Sequence, residues 1–211
     1  IVVQIGTQSR SEPGVRGSKR FLESGLLGKI SRCEECRNGK QPNWYKRLTR
    51  LPIKESELDW AEFLKPRPMR PFNGLLFAGW YGYREFCSGS IGQFMSHFID
   101  MVHFVTGAGF PTSAVAQGGT FLWKDEYHFD CPEQVETTLI YPEGFMVSYS
   151  TNFGNASGNR TVIYGTEGVL DLGSHARPVA SGAGAVKPGR LTKETPVERI
   201  DCPDHFLNWL Q

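Results

Sequence analysis

The sequence predicts an α+β fold: a predominantly antiparallel β-sheet with a long helix packed on one face, preceded by a short βα segment. Three patterns predict it. From residue 112 onward, alternating polar and apolar segments are separated by turn signals, which is typical of consecutive β-hairpins. Residues 88–104 contain one apolar run at helical spacing. The first 36 residues have the pattern of strand, helix and strand.

The N-terminal segment is predicted to be a βαβ-like unit. Residues 1–6, IVVQIG, form a short apolar run that ends in glycine, which is typical of a buried parallel strand. Residues 12–25 have the spacing of a helix that Gly25 closes as its C-cap. Residues 26–36 then alternate as a second strand. This unit is too short to bind a nucleotide alone but fits the last unit of a nucleotide domain.

The next part of the chain is polar and then aromatic. Residues 37–58 are predicted to form a loop. Residues 58–66 are predicted to form a short helix with Asp59 as its cap, ended by a proline-rich stretch. Residues 72–87 form an irregular aromatic segment that leads into the long helix.

The alternating part of the chain begins with a strand predicted over residues 112–124. The stretch ETTLIYPEGFMVSYST is a strong hairpin signal, because two alternating runs flank Pro-Glu-Gly. Residues 174–193 are rich in Gly, Ala, Ser and Pro and are predicted to be a loop. A final helix is expected over residues 203–211.

The long helix carries a polar stripe as well as an apolar one. Gln93, His97 and Asp100 recur at i, i+4 and i+7, so a regular helix would place them on one face. Packing alone does not require an imidazole there, which makes His97 a candidate site residue. The alternative is a core histidine bonded to a carbonyl group. Asp100 is a candidate substrate-binding residue, and the alternative is a structural carboxylate paired with an arginine or with backbone.

Other candidate ligand-binding residues flank this helix and the first strand. Trp80, Tyr83 and Arg84 precede the helix, and aromatic faces beside a cation suit a sugar, although cation–π packing alone would also explain them. Gln8 and Arg10 follow the first strand, at the strand edge where ligands of α/β folds bind; a surface loop is the alternative.

Composition excludes several classes of partner. The 23 basic and 22 acidic residues are balanced and form no basic stripe, so nucleic acid is not expected. No apolar run reaches the length of a membrane span. The five cysteines are odd in number and scattered, which argues against a disulfide framework, and the CxxC of Cys33 and Cys36 lacks a second ligand pair. No metal site is predicted.

Five stretches together resemble one known family. They occur in the family's order and comprise QIGTQSRS with SGLLGKI, LDWAEFLKPRPMRPF, SGSIGQFMSHFIDMVHFVTG, GTEGVLDL and DHFLNWLQ. The chain resembles the Gfo/Idh/MocA family of NAD(P)-dependent oxidoreductases, which act on sugars and polyols. The resemblance implies that residues 1–30 are the C-terminal remnant of a Rossmann domain and residues 31–211 a substrate-binding and oligomerisation domain.

The resemblance also implies a cofactor and a location for it. NAD or NADP would be bound mainly by a missing N-terminal region of about a hundred residues, which would carry the Gly-rich loop and a Glu-Lys-Pro motif. Both ends of the chain look truncated, and the fragment alone is expected to be inactive. The expected location is cytoplasmic, with a periplasmic one left open.

The resemblance assigns His97 as the acceptor of a proton from a substrate hydroxyl. The family's supporting Asp falls on Gln93, which can orient a partner by hydrogen bonding but does not relay protons. Two alternatives stay open: an NAD-dependent glycosidase of the same family, and a non-catalytic carbohydrate-binding or assembly domain. A homo-oligomer formed through the open face of the sheet is expected.

Overall fold

The computed structural model describes residues 3, 5–173, 175–185, 189–191 and 193–202. Within them the predicted α+β fold is confirmed, because one mostly antiparallel sheet of eight strands is accompanied by short helices. The strands are β1 Ile30–Asn38, β2 Ser113–Gly119, β3 Gln134–Tyr141, β4 Phe145–Asn152, β5 Arg160–Gly165, β6 Val169–Asp171, β7 Val179–Ser181 and β8 Thr195–Pro196. The α-helices are α1 Pro13–Glu23, α2 Trp60–Leu64, α3 Gly74–Ala78 and α4 Ser96–Thr106.

Strand β1 occupies the middle of the sheet. The strand order is β2-β3-β4-β1-β5-β6-β7-β8, and β1 is parallel to β4 but antiparallel to β5. The βαβ-like interpretation of the N-terminal segment is therefore wrong for β1, which belongs to the antiparallel sheet. A buried strand is also predicted over residues 1–6, but the described residues 3, 5 and 6 form no strand, and Val3 and Ile5 are 78% and 73% exposed, so this prediction is wrong for them.

The inner face of the sheet packs against α4 and forms the main core. Alternate side chains of β3 and β4 are buried, as the period of two requires. Fully burying one such side chain stabilises the fold by roughly 2 kcal/mol. The core contains Met95, Phe98, Met101, Val102 and Val105 from the helical segment and Cys33, Val135, Leu139, Tyr141, Phe145, Val147, Tyr149, Ile163 and Leu170 from the strands.

The outer face of the sheet is mostly polar. Ile140 and Met146 lie there with 48% and 43% exposure, beside Thr138 and Ser148 in the neighbouring register row. Self-association is expected because an apolar sheet face would have to be covered. Since the outer face is mostly polar, it gives little support to that expectation, and the homo-oligomer stays a prediction.

Helix α1 packs on α4. It begins with Pro13 at its first position, where no backbone donor is lost. Beyond its end Gly25 takes φ +71°, so the predicted glycine cap is confirmed. Phe21 and Leu22 pack against the core that contains α4. The domain boundary at residue 30 stays a prediction.

Several local expectations need correction. Residues 37–58 are not all loop, because 3₁₀ turns span Asn43–Arg50 and Glu55–Glu57, and the first buries Trp44 in a second aromatic core. The strand predicted over residues 112–124 ends at Gly119.

The loop predicted over residues 174–193 contains β7 in its described part. The short helix capped by Asp59 is confirmed, since its carboxylate accepts a hydrogen bond from the backbone N–H of Glu62. The helix predicted over residues 203–211 lies outside the described residues.

Candidate functional site

The segment before α4 is a π-helix, and this separates Gln93 from the polar stripe. Residues Ile91–Met95 are π-helical, and α4 begins at Ser96. A π-turn has i→i+5 hydrogen bonds and so takes more residues per turn than an α-helix. Four residues consequently do not bring Gln93 above His97. Its Nε2 donates instead to Sγ of Cys87 at 3.1 Å.

His97 lies in the first turn of α4 and is half-buried. Its Nδ1 atom is buried and has no hydrogen-bond partner among the described residues. The alternative of a core histidine bonded through this atom to a carbonyl group is therefore not what the structure shows. A buried polar atom without a partner is uncommon in native proteins and marks a site that needs an explanation.

Asp100 is held by Arg10. The Nε atom of Arg10 lies 3.0 and 2.9 Å from the two carboxylate oxygens, and its NH2 group lies 2.6 Å from Oδ1. The guanidinium also lies 5.6 Å from the centre of the Phe104 ring. Asp100 raises the pKa of Arg10, chiefly through this hydrogen bond. The pair joins the 3₁₀ turn Gln8–Ser11 to α4, one turn after His97.

This ion pair leads to a first prediction. Arg10→Ala and Asp100→Asn should each destabilise the fold, with a coupling energy of about 0.5–1 kcal/mol in a double-mutant cycle, because Arg10 is half exposed and solvent screens the pair. Urea unfolding of the four proteins measures it. Additive effects would show that the pair contributes nothing to anchoring the turn.

A polar cleft lies on the inner side of the sheet, at the end nearest the start of α4. Its volume is about 350 Å³. Glu35 is 1% exposed; it pairs with Nε of Arg37 at 2.5 Å and accepts a hydrogen bond from Oγ1 of Thr161 at 3.1 Å. The cleft is lined by Glu12, Glu35, Arg37, Asn159, Thr161, Gly173, His175 and Ala176.

One contact joins a wall of this cleft to the helical segment before His97. The guanidinium of Arg37 lies 5.3 Å from the centre of the ring of Phe94, which precedes His97 by three residues. Glu12, another lining residue, lies two positions after Arg10, and Arg10 binds Asp100 of α4. His97 itself does not line the cleft.

Burial favours the neutral form of His175. Desolvation lowers the pKa of His175, and the negative charge of Glu35 opposes this only in part. A neutral imidazole can both donate and accept a hydrogen bond, which suits a wall that faces a polyhydroxylated ligand.

Trp80, Tyr83 and Arg84, the candidates from the aromatic segment, lie away from the helix that carries His97. Tyr83 donates its hydroxyl to the carbonyl group of Tyr127 at 2.8 Å, and Trp80 lies under the guanidinium of Arg47 at 5.7 Å. Arg84 is exposed. Both rings belong to the aromatic core around Trp44, whereas α4 belongs to the main core. Their role in substrate binding stays a prediction.

Sequence reasoning missed Glu35 and Arg37. The signal was present in CEECR, because residues 33, 35 and 37 of an alternating strand share one face. A carboxylate two residues from the inward Cys33 must be buried and must have a partner. The same alternation places Cys36 on the opposite face from Cys33, so this CxxC cannot close on one ligand.

The described residues contain no cluster of three or more His, Cys, Asp or Glu side chains that could hold a metal ion. Nor does any helix in this part of the chain have the length and apolarity needed to cross a bilayer.

The two predicted cofactor-binding residues lie in the 3₁₀ turn Gln8–Ser11. Gln8 is exposed, whereas the guanidinium of Arg10 is bound to Asp100.

Solved structures share this fold at low sequence identity. A structure from Thermotoga maritima described as an oxidoreductase aligns with TM-score 0.65 and 18% identity, over 99% of this chain and 52% of its own. Levoglucosan dehydrogenase in complex with NADH and levoglucosan aligns with TM-score 0.61 and 17% identity, over 94% and 47%. Aldose-aldose oxidoreductase from Caulobacter crescentus, complexed with glycerol, aligns with TM-score 0.63 and 15% identity, over 99% and 51%.

The chain thus spans about half the length of these structures. No curated protein matches it significantly. A family model described as GFO/IDH/MocA C-terminal domain matches residues 60–171. Because that match covers more than half of the chain and the fold agrees along nearly all of it, the chain belongs to the GFO/IDH/MocA family.

Proposed function

We propose that the chain is the substrate-binding part of an NAD(P)-dependent oxidoreductase that acts on a sugar or polyol. The observation that carries this proposal is the half-buried imidazole of His97 in the first turn of α4, three residues before the Asp100 that binds the 3₁₀ turn, with no partner for its Nδ1 atom. Family membership and the oxidoreductase names of the solved relatives support it.

In this proposal His97 accepts the proton of the reacting hydroxyl. Its Nδ1 atom is enclosed, which leaves Nε2 as the ring nitrogen that receives the proton. NAD or NADP, when bound, would supply the acceptor for the hydride that leaves the same carbon.

The cleft beside Glu35 is the proposed place for the rest of the substrate. Paired carboxylate and guanidinium groups, a threonine hydroxyl and a neutral imidazole offer both donors and acceptors to hydroxyl groups. Gln93 does not support His97 in this arrangement, because its amide is bound to Cys87. We expect the proton transfer to depend on His97 without a neighbouring carboxylate.

The direct test measures NADH and NADPH formation by the full-length protein with a panel of monosaccharides, anhydrosugars and polyols. The expected result is reduction of one cofactor by at least one member of the panel. Release of the aglycone from an aryl glycoside with catalytic NAD, and no net reduction, would favour the glycosidase. Neither activity, together with saturable sugar binding, would favour the non-catalytic binding domain.

A further inference from the structure

Cys87 and Cys131 lie side by side at the start of the long helical segment, although 44 residues separate them in the chain. The Cys131 thiol donates a hydrogen bond to the carbonyl oxygen of Cys87, with Sγ 3.7 Å from that oxygen. Two donors point at Sγ of Cys87: Nε2 of Gln93 at 3.1 Å and the backbone N–H of Gly89 at 3.3 Å. Two donors around one sulfur stabilise its thiolate form.

The surroundings of the pair give the two sulfurs different acidities. The adjoining Cys131 thiol lowers the pKa of Cys87, and the Gln93 amide, the Gly89 N–H and the charge of Arg47 add to this against the effect of burial. The adjoining Cys87 sulfur raises the pKa of Cys131, as do burial and the charge of Asp130. The sulfur of Cys87 is therefore the better nucleophile of the two, whereas Cys131 favours the protonated thiol form.

A small reagent has a route to the pair. A cavity of about 320 Å³ is lined by Arg84, Cys87, Ser88, Gly89, Ser90, Ile91, Cys131, Pro132 and Val135. Arg84 adds a positive charge at this wall. Burial, and then the charge of Cys87, raise the pKa of Tyr81.

Cys33 in β1 is also buried, but its surroundings differ from those of Cys87 and Cys131. Cys33 is enclosed by the main core, and burial raises its pKa to about 12. It has neither a neighbouring thiol nor a group of donors, so the described core around it offers no reason for reactivity. The arrangement at Cys87 is therefore specific to that position.

We propose that Cys87 and Cys131 are a redox-active dithiol, which a peroxide converts into a disulfide. The Cys87 thiolate attacks one oxygen of hydrogen peroxide, the O–O bond breaks, and the hydroxide that leaves takes up the proton that Cys87 had released, so the products are a sulfenic acid and one water molecule. Sγ of Cys131 then displaces the hydroxyl group from the Cys87 sulfur, which forms the S–S bond, and the hydroxyl leaves with the Cys131 proton as a second water. The two thiols together lose two electrons and two protons, and hydrogen peroxide is reduced to the two water molecules.

Oxidation would act directly on the segment that leads to His97. The disulfide would join the residues before the π-helix to the loop that ends at β3. It would also take from Gln93 the thiolate that its amide now binds, four residues before His97. This inference does not rest on the proposed dehydrogenase activity, because its chemistry involves only the thiols and the peroxide.

The test treats the full chain with hydrogen peroxide and maps the products by peptide mass spectrometry. The expected product is a disulfide between the peptides of Cys87 and Cys131. In Cys131→Ser, which keeps a hydrogen-bonding hydroxyl, Cys87 should instead be trapped by dimedone as a sulfenic acid. Iodoacetamide labelling of Cys87 against pH should have its midpoint below the value of about 8.5 of a free thiol, and Gln93→Leu should raise that midpoint.

Cys36→Ser is the matched control, because Cys36 is a half-buried cysteine of the same chain on the outer face of β1. It should leave the products of peroxide treatment unchanged. The proposal is overturned if Cys87 and Cys131 remain thiols after peroxide treatment, if Cys87 pairs with another cysteine, or if its labelling midpoint is that of a free thiol.

Discussion

Replacing His97 with alanine should lower kcat of the full-length enzyme by about a hundredfold to ten-thousandfold, the usual contribution of a general base. The reason is that the hydroxyl proton then has no acceptor while hydride leaves the same carbon. Gln93 cannot replace the imidazole, since an amide is not a base and its Nε2 is committed to Cys87. Steady-state kinetics at saturating substrate measures the effect.

A control variant separates a base from a merely structural residue. His128→Ala is a suitable control, because His128 is exposed in the loop before β3. An equal urea midpoint for all three proteins excludes loss of fold. Turnover of His97→Ala at the original rate would contradict the assignment of this residue.

Replacing Arg37 with methionine should lower the free energy of unfolding by about 3 kcal/mol, because it leaves a buried carboxylate without its partner. Glu35 has 2% of its side chain exposed and Arg37 has 28%, so solvent cannot substitute for the guanidinium at 2.5 Å. Methionine keeps an unbranched aliphatic side chain but removes the guanidinium that lies over Phe94. Urea unfolding monitored by circular dichroism measures the loss.

The same strand offers a matched control. Arg32 pairs with Glu34 at 3.1 Å on the outer face of β1, where their side chains are 49% and 25% exposed. Arg32→Met should therefore cost less than about 1 kcal/mol. The double replacement of Glu35 and Arg37 by methionine should recover most of the stability, since no unpaired charge then remains. Equal losses for Arg37→Met and Arg32→Met would show that Glu35 does not depend on its partner.

Local patterns were sufficient for the features whose causes lie close together in sequence. The β3–β4 hairpin follows from two alternating runs around one turn, and the α2 cap follows from an aspartate three residues before a free backbone donor. The apolar stripe of α4 follows from helical spacing, and His97 was selected because packing does not require it. Five motifs in order were enough to suggest the family.

Other features depend on distant contacts. The place of β1 between β4 and β5 requires pairing with residues more than a hundred positions away, which alternation within one strand does not encode. The partner of Gln93 depends on a π-turn and on the position of Cys87, and the partner of Asp100 depends on a turn 90 residues earlier.

The sequence therefore determined the class of fold, the helix that carries His97 and the residue types available for chemistry. The fold determined which of them meet: Glu35 with Arg37 and Thr161, Arg10 with Asp100, and Cys87 with Cys131 and Gln93. The physical reason is that hydrogen bonds and ion pairs act over a few ångströms, whereas the chain brings such groups together only when its sheet register and helix packing are complete.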